Sequence, residues 1–183
     1  MDSAAEHDDP KGEPLASVVY LGLGSNLGKR EHALGEACRL LASFLARFAC
    51  ASLYESLPQE VTDQPLFLNT VARGETRLTP ERLLAELHAI ERDLGRDRTH
   101  ERSKGPRAID IDLLLYGNRM MQTERLTVPH PSITSRKFVL VPLLELDSTL
   151  REPGTGVPYE YHLRLLPPQG IYYFAPSGYS HGT

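Results

Sequence analysis

Two aspartates separated by a single residue are the first candidates for chemistry in this sequence. Asp110 and Asp112 lie in a run in which Ile109, Ile111 and Leu113 occupy the alternate positions, the pattern of a β-strand. Residues two apart on a strand lie about 7 Å apart on the same face, so both carboxylates point into one space. Paired carboxylate oxygens suit Mg²⁺ that carries a nucleotide phosphate. The alternative is a solvated strand face, on which acids are common.

A basic loop precedes these aspartates, and it holds three more cations than acids. The cations are Arg96, Arg98, Arg102, Lys104 and Arg107, and the acids are Asp97 and Glu101. Guanidinium groups match phosphate oxygens in geometry, so this loop beside paired acids predicts a site for a metal-bound polyphosphate. A solvated charged loop is the alternative. Gly95 and Gly105 at its two ends suit a hinged lid.

Glu91 is an acid on the apolar side of a predicted helix. It follows Leu87 by four positions and precedes Leu94 by three, which places it on the same stripe as these leucines. The position indicates a ligand contact or a partly buried charge. The alternative is an acid at the edge of the stripe that reaches back to water.

Aromatic and amide side chains form a further candidate group. Phe67 and Asn69 share one predicted strand face, and Phe138 begins a later apolar segment. Two rings can enclose a flat heterocycle while an amide binds its edge, although such residues more often belong to the core.

His130 lies between two prolines, near Arg125 and Arg136. A lone histidine is usually structural, but this one lies among cations. The glycine-rich segment at residues 22–28 has GxGxxxG spacing and lacks the acidic ribose partner of a dinucleotide-binding unit, and no Walker loop is present in the sequence. We therefore interpret that segment as a turn after a strand.

The elements that must position these residues follow from the apolar pattern. Strands are predicted at 18–21, 50–54, 66–74 and 108–116, and residues 138–146 are predicted as a strand that passes into a helical turn. One helix is predicted from Lys29. Another is predicted after Thr79, with Pro80 at its first position and Gly95 at its end. The order βαββαβ predicts an α+β sandwich of ferredoxin-like type, a mainly antiparallel sheet with helices on one face.

Length and charge limit the classes of function. The chain has 183 residues, of which 40% are hydrophobic, enough for one core. Residues 1–16 hold five acids and one base, so the remaining 19 acids and 19 bases cancel. A neutral domain lacks the basic surface of a nucleic-acid binder. We therefore expect small-molecule substrates and no nucleic-acid partner.

The sequence also predicts the environment of the protein. No apolar run approaches the roughly 20 residues of a membrane span, and the first residues are acidic rather than secretory in type, so we expect a cytoplasmic protein without a membrane partner. Cys38 and Cys50 are the only cysteines. We expect both to be reduced, buried small hydrophobes.

Three segments are predicted along the chain. Residues 1–16 form a disordered acidic leader, residues 17–158 the folded domain, and residues 159–183 a tail rich in Tyr and Pro. The tail holds five of the eight tyrosines and has no usable periodicity. The sequence gives no indication of oligomeric state.

Several separated motifs occur together in a fixed order. They are Gly24-Ser25-Asn26, Asp63-Gln64-Pro65 with Phe67-Leu68-Asn69, Gly105-Pro106-Arg107 with Asp110-Ile111-Asp112, and Val128-Pro129-His130 followed by Arg136 and Phe138. Together they closely resemble the 6-hydroxymethyl-7,8-dihydropterin pyrophosphokinase family of folate biosynthesis, over about residues 18–153. The resemblance implies a ferredoxin-like fold, ATP as co-substrate, two Mg²⁺ ions, and transfer of diphosphate to the pterin hydroxymethyl oxygen with release of AMP.

The resemblance also implies roles for individual residues. Asp110 and Asp112 would hold the Mg²⁺ ions. The implied catalytic cations at the triphosphate are Arg96, Arg98 and Arg107, and the other implied ATP-binding residues are His88, Glu91, Arg125, Thr127, His130 and Arg136. Phe67 and Phe138 would stack on the pterin. Asn69 and the backbone from Ser56 to Gln59 would bind its edge.

The sequence departs from the family pattern at three places. Arg102-Ser103-Lys104 precedes Gly105 where the family usually has an aromatic residue, the segment 57–60 lacks a common glycine, and residues 1–16 and 159–183 have no assignable counterpart. A non-catalytic binding module is the alternative function, since ferredoxin-like sandwiches also serve as such modules. A sensor needs neither paired carboxylates nor surrounding cations, so Mg²⁺-dependent turnover separates the two.

Overall fold

The computed structural model of the chain describes residues 15–59, 63–96 and 105–178. The helices are α1 (Arg30–Ala42), α2 (Pro80–Asp93), α3 (Lys137–Leu146) and α4 (Tyr159–Leu165). The strands are β1 (Ser17–Ser25), β2 (Ala46–Cys50), β3 (Leu53–Ser56), β4 (Phe67–Thr76), β5 (Asp110–Tyr116), β6 (Met121–Gln122), β7 (Thr127–Val128) and β8 (Ile171–Ala175). The predicted leader, up to residue 14, lies outside the described residues, and so do Arg98 and most of the basic loop.

The main sheet has the order β5-β1-β4-β3-β8, and β2 pairs with the far end of β4. Every pairing in it is antiparallel. A separate ribbon is formed by β6 and β7. The predicted α+β sandwich with a mainly antiparallel sheet is confirmed. In the register, Gly24 of β1 lies opposite Asn69 of β4 and Asp110 of β5, so the ends of three strands meet at one place.

Helices cover both faces of the sheet, so the prediction of helices on one face is wrong. On one side, Val19, Leu21 and Leu23 of β1 pack in a core with α1 and α2. On the other, Tyr20 packs with α3 and with Tyr159 of α4. The central strand β1 is apolar on both faces, which is typical of a sheet that is covered twice.

Two local predictions also differ from the structure. Residues 137–146 are entirely helical, with Pro142 inside the helix, because a continuous apolar run does not distinguish a buried helix from a buried strand. The predicted strand at 50–54 is two strands, β2 and β3, which both pair with β4 and are separated at Ala51 and Ser52.

The start and end of α2 agree with the prediction. The Thr79 hydroxyl accepts a hydrogen bond from the N–H of Arg82 over 3.3 Å, and Pro80 is the first helical residue. After the helix, Gly95 has a φ of +90°, a conformation that favours glycine. The helix that carries Glu91 is therefore determined locally at both ends.

The sheet continues past the boundary predicted at residue 158. Tyr159 is fully buried against the α3 layer, and β8 extends the sheet by pairing with β3. Strand β8 carries no apolar alternation because Tyr172 and Tyr173 are both exposed at the sheet edge. This strand therefore gave no periodic signal in the sequence.

Two further predictions concern the cysteines and a membrane span. Cys38 and Cys50 are free thiols inside the core, as expected, with their sulfurs 2.9 Å apart. The hydrogen bond with Cys38 and, next, burial raise the pKa of the Cys50 thiol. Among the helices of the described ranges, none is long and apolar enough to cross a membrane.

Candidate functional site

One pocket collects most of the predicted site residues. It opens where β1 ends and β4 and β5 begin, beside the first turn of α3 and the segment after β3. Nine predicted residues line it, namely Ser56, Phe67, Asn69, Arg107, Asp110, Asp112, His130, Arg136 and Phe138. Residues from distant parts of the sequence converge here because the strand register places the starts of β4 and β5 beside the end of β1.

Two glycines of β1 form part of the pocket wall. Gly22 and Gly24 line it, and a Cβ atom on Gly24 would lie 3.2 Å from Oδ1 of Asn69. The predicted end of the first strand at Gly22 is wrong, because β1 continues to Ser25. The glycine at position 24 therefore permits close approach of the Asn69 amide, rather than a turn.

The two aspartates face the pocket in different environments. Arg96 and Arg107 both pair with the Asp110 carboxylate, the latter over 2.8 Å. Burial and, next, the charge of Asp110 raise the pKa of Asp112 to about 7, against the opposing effects of Arg136 and Arg107. A buried carboxylate beside another one is stabilised in its charged form by a bound cation.

Glu91 links α2 to the strand that carries the aspartates. Its side chain is fully buried, pairs with Arg96 and accepts a hydrogen bond from the N–H of Ile111 over 2.8 Å. Arg96 thus contacts both Glu91 and Asp110. Glu91 does not line the pocket, and its predicted contact with ATP stays a prediction.

Two arginines pair with the two aromatic rings of the pocket. The Arg107 guanidinium lies 5.7 Å from the centre of the Phe67 ring, and that of Arg136 lies 5.7 Å from the centre of the Phe138 ring. Nε of Arg107 is buried and has no hydrogen-bond partner within the described part of the chain. Each ring therefore lies beside a cation that can bind an anionic part of the same ligand.

The amide of Asn69 is held in one orientation. Its Nδ2 donates to Oγ of Ser56 over 2.9 Å, and more weakly to the carbonyl of Tyr54 over 3.4 Å. Both Asn69 and Ser56 are buried. This pair presents fixed polar groups to the pocket, as recognition of the edge of a heterocycle requires.

His130 is held by two hydrogen bonds. Its N–H donates to the carbonyl of Leu114 over 2.9 Å, and its ring Nδ1 accepts from the N–H of Ser132 over 3.2 Å. Burial and the charge of Arg136 lower its pKa. The neutral ring therefore carries its proton on Nε2, which can donate to a phosphate oxygen.

The remaining predicted ATP-binding residues do not line this pocket. Thr127 lies on β7, Arg125 precedes it and is exposed, and His88 lies on α2. Their contacts with ATP stay predictions. Arg98 lies outside the described residues.

Asn26, which belongs to the first of the sequence motifs, lies between two loops of the pocket. It is 2% exposed. Its Nδ2 donates to Oε1 of Gln64 and the carbonyl of Pro65, while its Oδ1 accepts from the N–H of Arg107 over 2.8 Å. An asparagine after a strand is typical of a turn, so no local signal indicated this role.

The donor set at the aspartates fits a magnesium ion. Within the ranges that the structure describes, no cluster of three or more metal-ligating side chains occurs. Asp110 and Asp112 therefore supply two carboxylates only. Mg²⁺ is usually held in this way, by one or two carboxylates with substrate phosphates and water at its other positions.

Comparison with curated proteins gives several relatives. The chain is 42% identical over 142 residues to the 2-amino-4-hydroxy-6-hydroxymethyldihydropteridine pyrophosphokinase of Haemophilus influenzae, which covers 76% of this chain and 88% of the relative. It is 42% identical over 141 residues to the folic acid synthesis protein fol1 of Pneumocystis carinii, covering 76% of this chain and 19% of that protein. The folate synthesis bifunctional protein, mitochondrial, of Pisum sativum is 46% identical over 138 residues, with 75% and 26% covered. The chain thus spans about a fifth to a quarter of the length of the fungal and plant relatives.

Solved structures and a family model complete the comparison. A crystal structure of Plasmodium falciparum HPPK-DHPS with pterin and p-hydroxybenzoate superposes with a TM-score of 0.66 at 14% identity, covering 83% of this chain and 44% of the other. This likeness supports the fold. Residues 20–148 match the model of the 7,8-dihydro-6-hydroxymethylpterin-pyrophosphokinase (HPPK) family. Together with the identity to the bacterial relative, this match shows that the chain belongs to the HPPK family.

Proposed function

We propose that this chain transfers the diphosphate of ATP to the hydroxymethyl oxygen of 6-hydroxymethyl-7,8-dihydropterin and releases AMP. One observation carries the proposal. A single pocket is lined by two aromatic rings and a fixed amide, and also by a carboxylate pair with two arginines and a neutral histidine. The first group suits a flat heterocycle and the second a polyphosphate.

The pterin binds between Phe67 and Phe138 in this proposal. Stacking on two rings supplies affinity through apolar contact, and the polar edge of the pterin meets Asn69 and Ser56. The hydrogen bond between these two side chains holds them in place before the ligand arrives. Binding therefore requires little ordering of side chains at this end.

The triphosphate binds at the cationic end. Arg107 lies beside Phe67 and pairs with Asp110, and Arg136 lies beside Phe138 in the same pocket. Both cations are therefore next to the proposed position of the pterin. We include Arg96, Arg98, Arg125, Thr127, His88 and Glu91 in the nucleotide site on the basis of the family. Guanidinium groups aimed at the transferring phosphate stabilise charge where it develops.

Asp110 and Asp112 would hold the two Mg²⁺ ions that we propose. When bound, Mg²⁺ neutralises charge on the phosphates and orients them for in-line attack. The chain's own part is to hold both carboxylates on one strand face. Arg96, in contact with Glu91 and Asp110, anchors that strand face to α2.

The reaction proceeds by in-line transfer. A bond forms between the pterin hydroxymethyl oxygen and the β-phosphorus, while the bond from that phosphorus to the oxygen bridging to the α-phosphate breaks. AMP leaves with the bridging oxygen, and the hydroxyl proton passes to water. Positioning and electrostatic stabilisation account for the rate.

Product analysis tests the proposal. The chain is incubated with ATP, Mg²⁺ and 6-hydroxymethyl-7,8-dihydropterin, and nucleotides are separated by chromatography. Equal amounts of AMP and diphosphorylated pterin are expected. Formation of ADP, or absence of Mg²⁺-dependent turnover, would overturn the proposal.

We further propose a cytoplasmic location, as the sequence predicts.

A further inference from the structure

We infer that Gln169 is a positioning residue for the pterin, because it joins two walls of the pterin end of the pocket through hydrogen bonds. The inference rests on the proposed function. Gln169 lies between α4 and β8, in the segment that follows the residues matched by the family model. It also lies in the predicted tail, for which the sequence indicated no role.

The first wall is the segment after β3. Nε2 of Gln59 donates to Oε1 of Gln169 over 2.9 Å. The N–H of Leu57 donates to the carbonyl of the adjacent Gly170 over 3.2 Å. Leu57 and Gln59 both line the pocket, directly after Ser56, so the tail holds the segment that we assign to the pterin edge.

The second wall is the start of α3. The N–H of Lys137 donates to the same Oε1 of Gln169 over 2.7 Å, and Nε2 of Gln169 donates to the carbonyl of Ser135 over 2.9 Å. The first N–H groups of a helix have no partner within the helix. Gln169 therefore caps the turn that carries Phe138, the proposed stacking ring.

One amide group thus determines the spacing of two walls. Its oxygen accepts from Gln59 and Lys137, and its nitrogen donates to Ser135. These hydrogen bonds connect the two walls to each other through Gln169. A pocket whose walls are held before binding binds its ligand more tightly than one that must order them.

Gly170 allows the tail to lie close to Leu57. Its φ is +56°, and a Cβ atom there would lie 2.6 Å from Cδ1 of Leu57. The positive φ favours glycine at this position, and a larger residue would also require the exposed Leu57 side chain to move. The pairing of Ser56 with Ile171 in the adjacent strands keeps this arrangement in register.

The test compares three variants of the full chain. Gln169→Ala removes all three side-chain hydrogen bonds. Gln169→Glu keeps an oxygen that accepts from Gln59 and Lys137. Arg164→Ala is the matched control in the same tail, because it removes only an exposed ion pair with Glu160.

Two quantities are measured. The first is the affinity for 6-hydroxymethylpterin without ATP, with the pterin fluorescence as the signal. The second is the KM of each substrate in AMP formation. For Gln169→Ala we expect the Kd and KM of the pterin to rise about 5- to 20-fold, the effect of losing preorganising hydrogen bonds. The KM of ATP should change less than about twofold. Gln169→Glu should recover part of the pterin affinity, because it keeps the acceptor for Gln59 and Lys137 but loses the donor to Ser135, and Arg164→Ala should match the wild type.

A purely structural role would raise both KM values together or lower the melting temperature without a selective loss of pterin affinity, and either result overturns the inference. Equal pterin affinity of Gln169→Ala and the wild type overturns it as well, while normal AMP formation by the wild type would leave the proposed function intact. A wild-type chain that binds no pterin and forms no AMP overturns the proposed function and this inference with it.

Discussion

The side-chain oxygen of Asn26 accepts a hydrogen bond from the N–H of Arg107 over 2.8 Å, and the N–H of Asn26 donates to the carbonyl of Arg107 over 3.1 Å. The same asparagine donates to Gln64 and Pro65. A buried side chain at the end of β1 thus joins the segment before β4 to the segment before β5. Both segments carry pocket residues, so Asn26 helps to set their relative position through its side chain and its N–H.

Asn26→Ala should lower kcat/KM on the order of 10²-fold, because a shift of about 1 Å in a substrate-positioning group has effects of that size. Steady-state assays of AMP formation measure this. Asn26→Asp is the matched variant, since it keeps an acceptor for Arg107 and loses the donor to Gln64 and Pro65. It should fall between the wild type and the alanine variant. Wild-type turnover in Asn26→Ala would contradict the role assigned to this residue.

Replacement of the two aspartates by asparagine should have opposite effects on stability. Asp110→Asn leaves Arg96 and Arg107 without their shared counter-charge and should destabilise the fold by about 1–3 kcal/mol. Asp112→Asn removes a carboxylate whose charged form is disfavoured by burial and should leave stability unchanged or raise it. Urea denaturation without Mg²⁺ measures both.

The same two variants should both lose AMP formation, on the order of 10²-fold or more. Binding of the pterin alone should persist in Asp112→Asn, because the stacking rings are unchanged. Equal destabilisation of the two variants would count against the different environments of the two carboxylates. Undiminished AMP formation in both would count against their role in holding Mg²⁺.

Of the three predicted catalytic arginines, the structure describes Arg96 and Arg107, and these two should differ in the effect of their removal. Arg96 is buried and pairs with the fully buried Glu91, so Arg96→Ala removes the cation that neutralises this buried carboxylate and should destabilise the fold by about 3–5 kcal/mol. Arg107→Ala should mainly lower turnover, on the order of 10²-fold. The family resemblance alone implied a catalytic role for both.

Thermal and urea denaturation with AMP assays separate the two cases. The double variant Glu91→Gln/Arg96→Met is the control, since it removes both charges of the pair. It should be more stable than Arg96→Ala. An Arg96→Ala variant of wild-type stability would show that the pair with Glu91 contributes little.

Phe138→Ala should weaken pterin binding and leave ATP binding nearly unchanged, because one ligand alone loses stacking area. By analogy with stacking of nucleic-acid bases, the loss is about 1–3 kcal/mol. Separate titrations with the two ligands measure it. Phe44→Ala serves as the control, since Phe44 is partly exposed and does not line the pocket. Equal loss of both affinities at an unchanged melting temperature would contradict the stacking position.

The imidazole of His130 should titrate below pH 6.5, because burial and the charge of Arg136 both disfavour its protonated form and only Asp110 opposes them. Removal of a positive charge favours protonation, so Arg136→Gln should move the pKa upward. Titration of the ring signals by nuclear magnetic resonance measures both values. A wild-type pKa at or above 6.5 would contradict the assigned neutral ring.

Local sequence determined the elements whose signals lie within a few residues. The alternation around Asp110 and Asp112 predicted the strand and the shared face, and Thr79 with Pro80 predicted the start of α2. Both agree with the structure. These features depend on strand periodicity and on capping groups, which act between neighbours in the chain. The family motifs added the pocket residues, of which nine meet in one place.

Tertiary structure decided the features that depend on distant partners. Residues 137–146 form a helix because they pack on the second face of the sheet, and an apolar run alone does not specify a helix or a strand. Glu91 is buried because Arg96 and the N–H of Ile111 compensate it, which its place on an apolar stripe did not reveal. Gln169 has no periodic or motif signal, since its partners are 32 to 110 positions away. These contacts join segments that are distant in the sequence and adjacent only in the folded chain, where β8 pairs with β3. The tertiary structure was therefore needed to identify them.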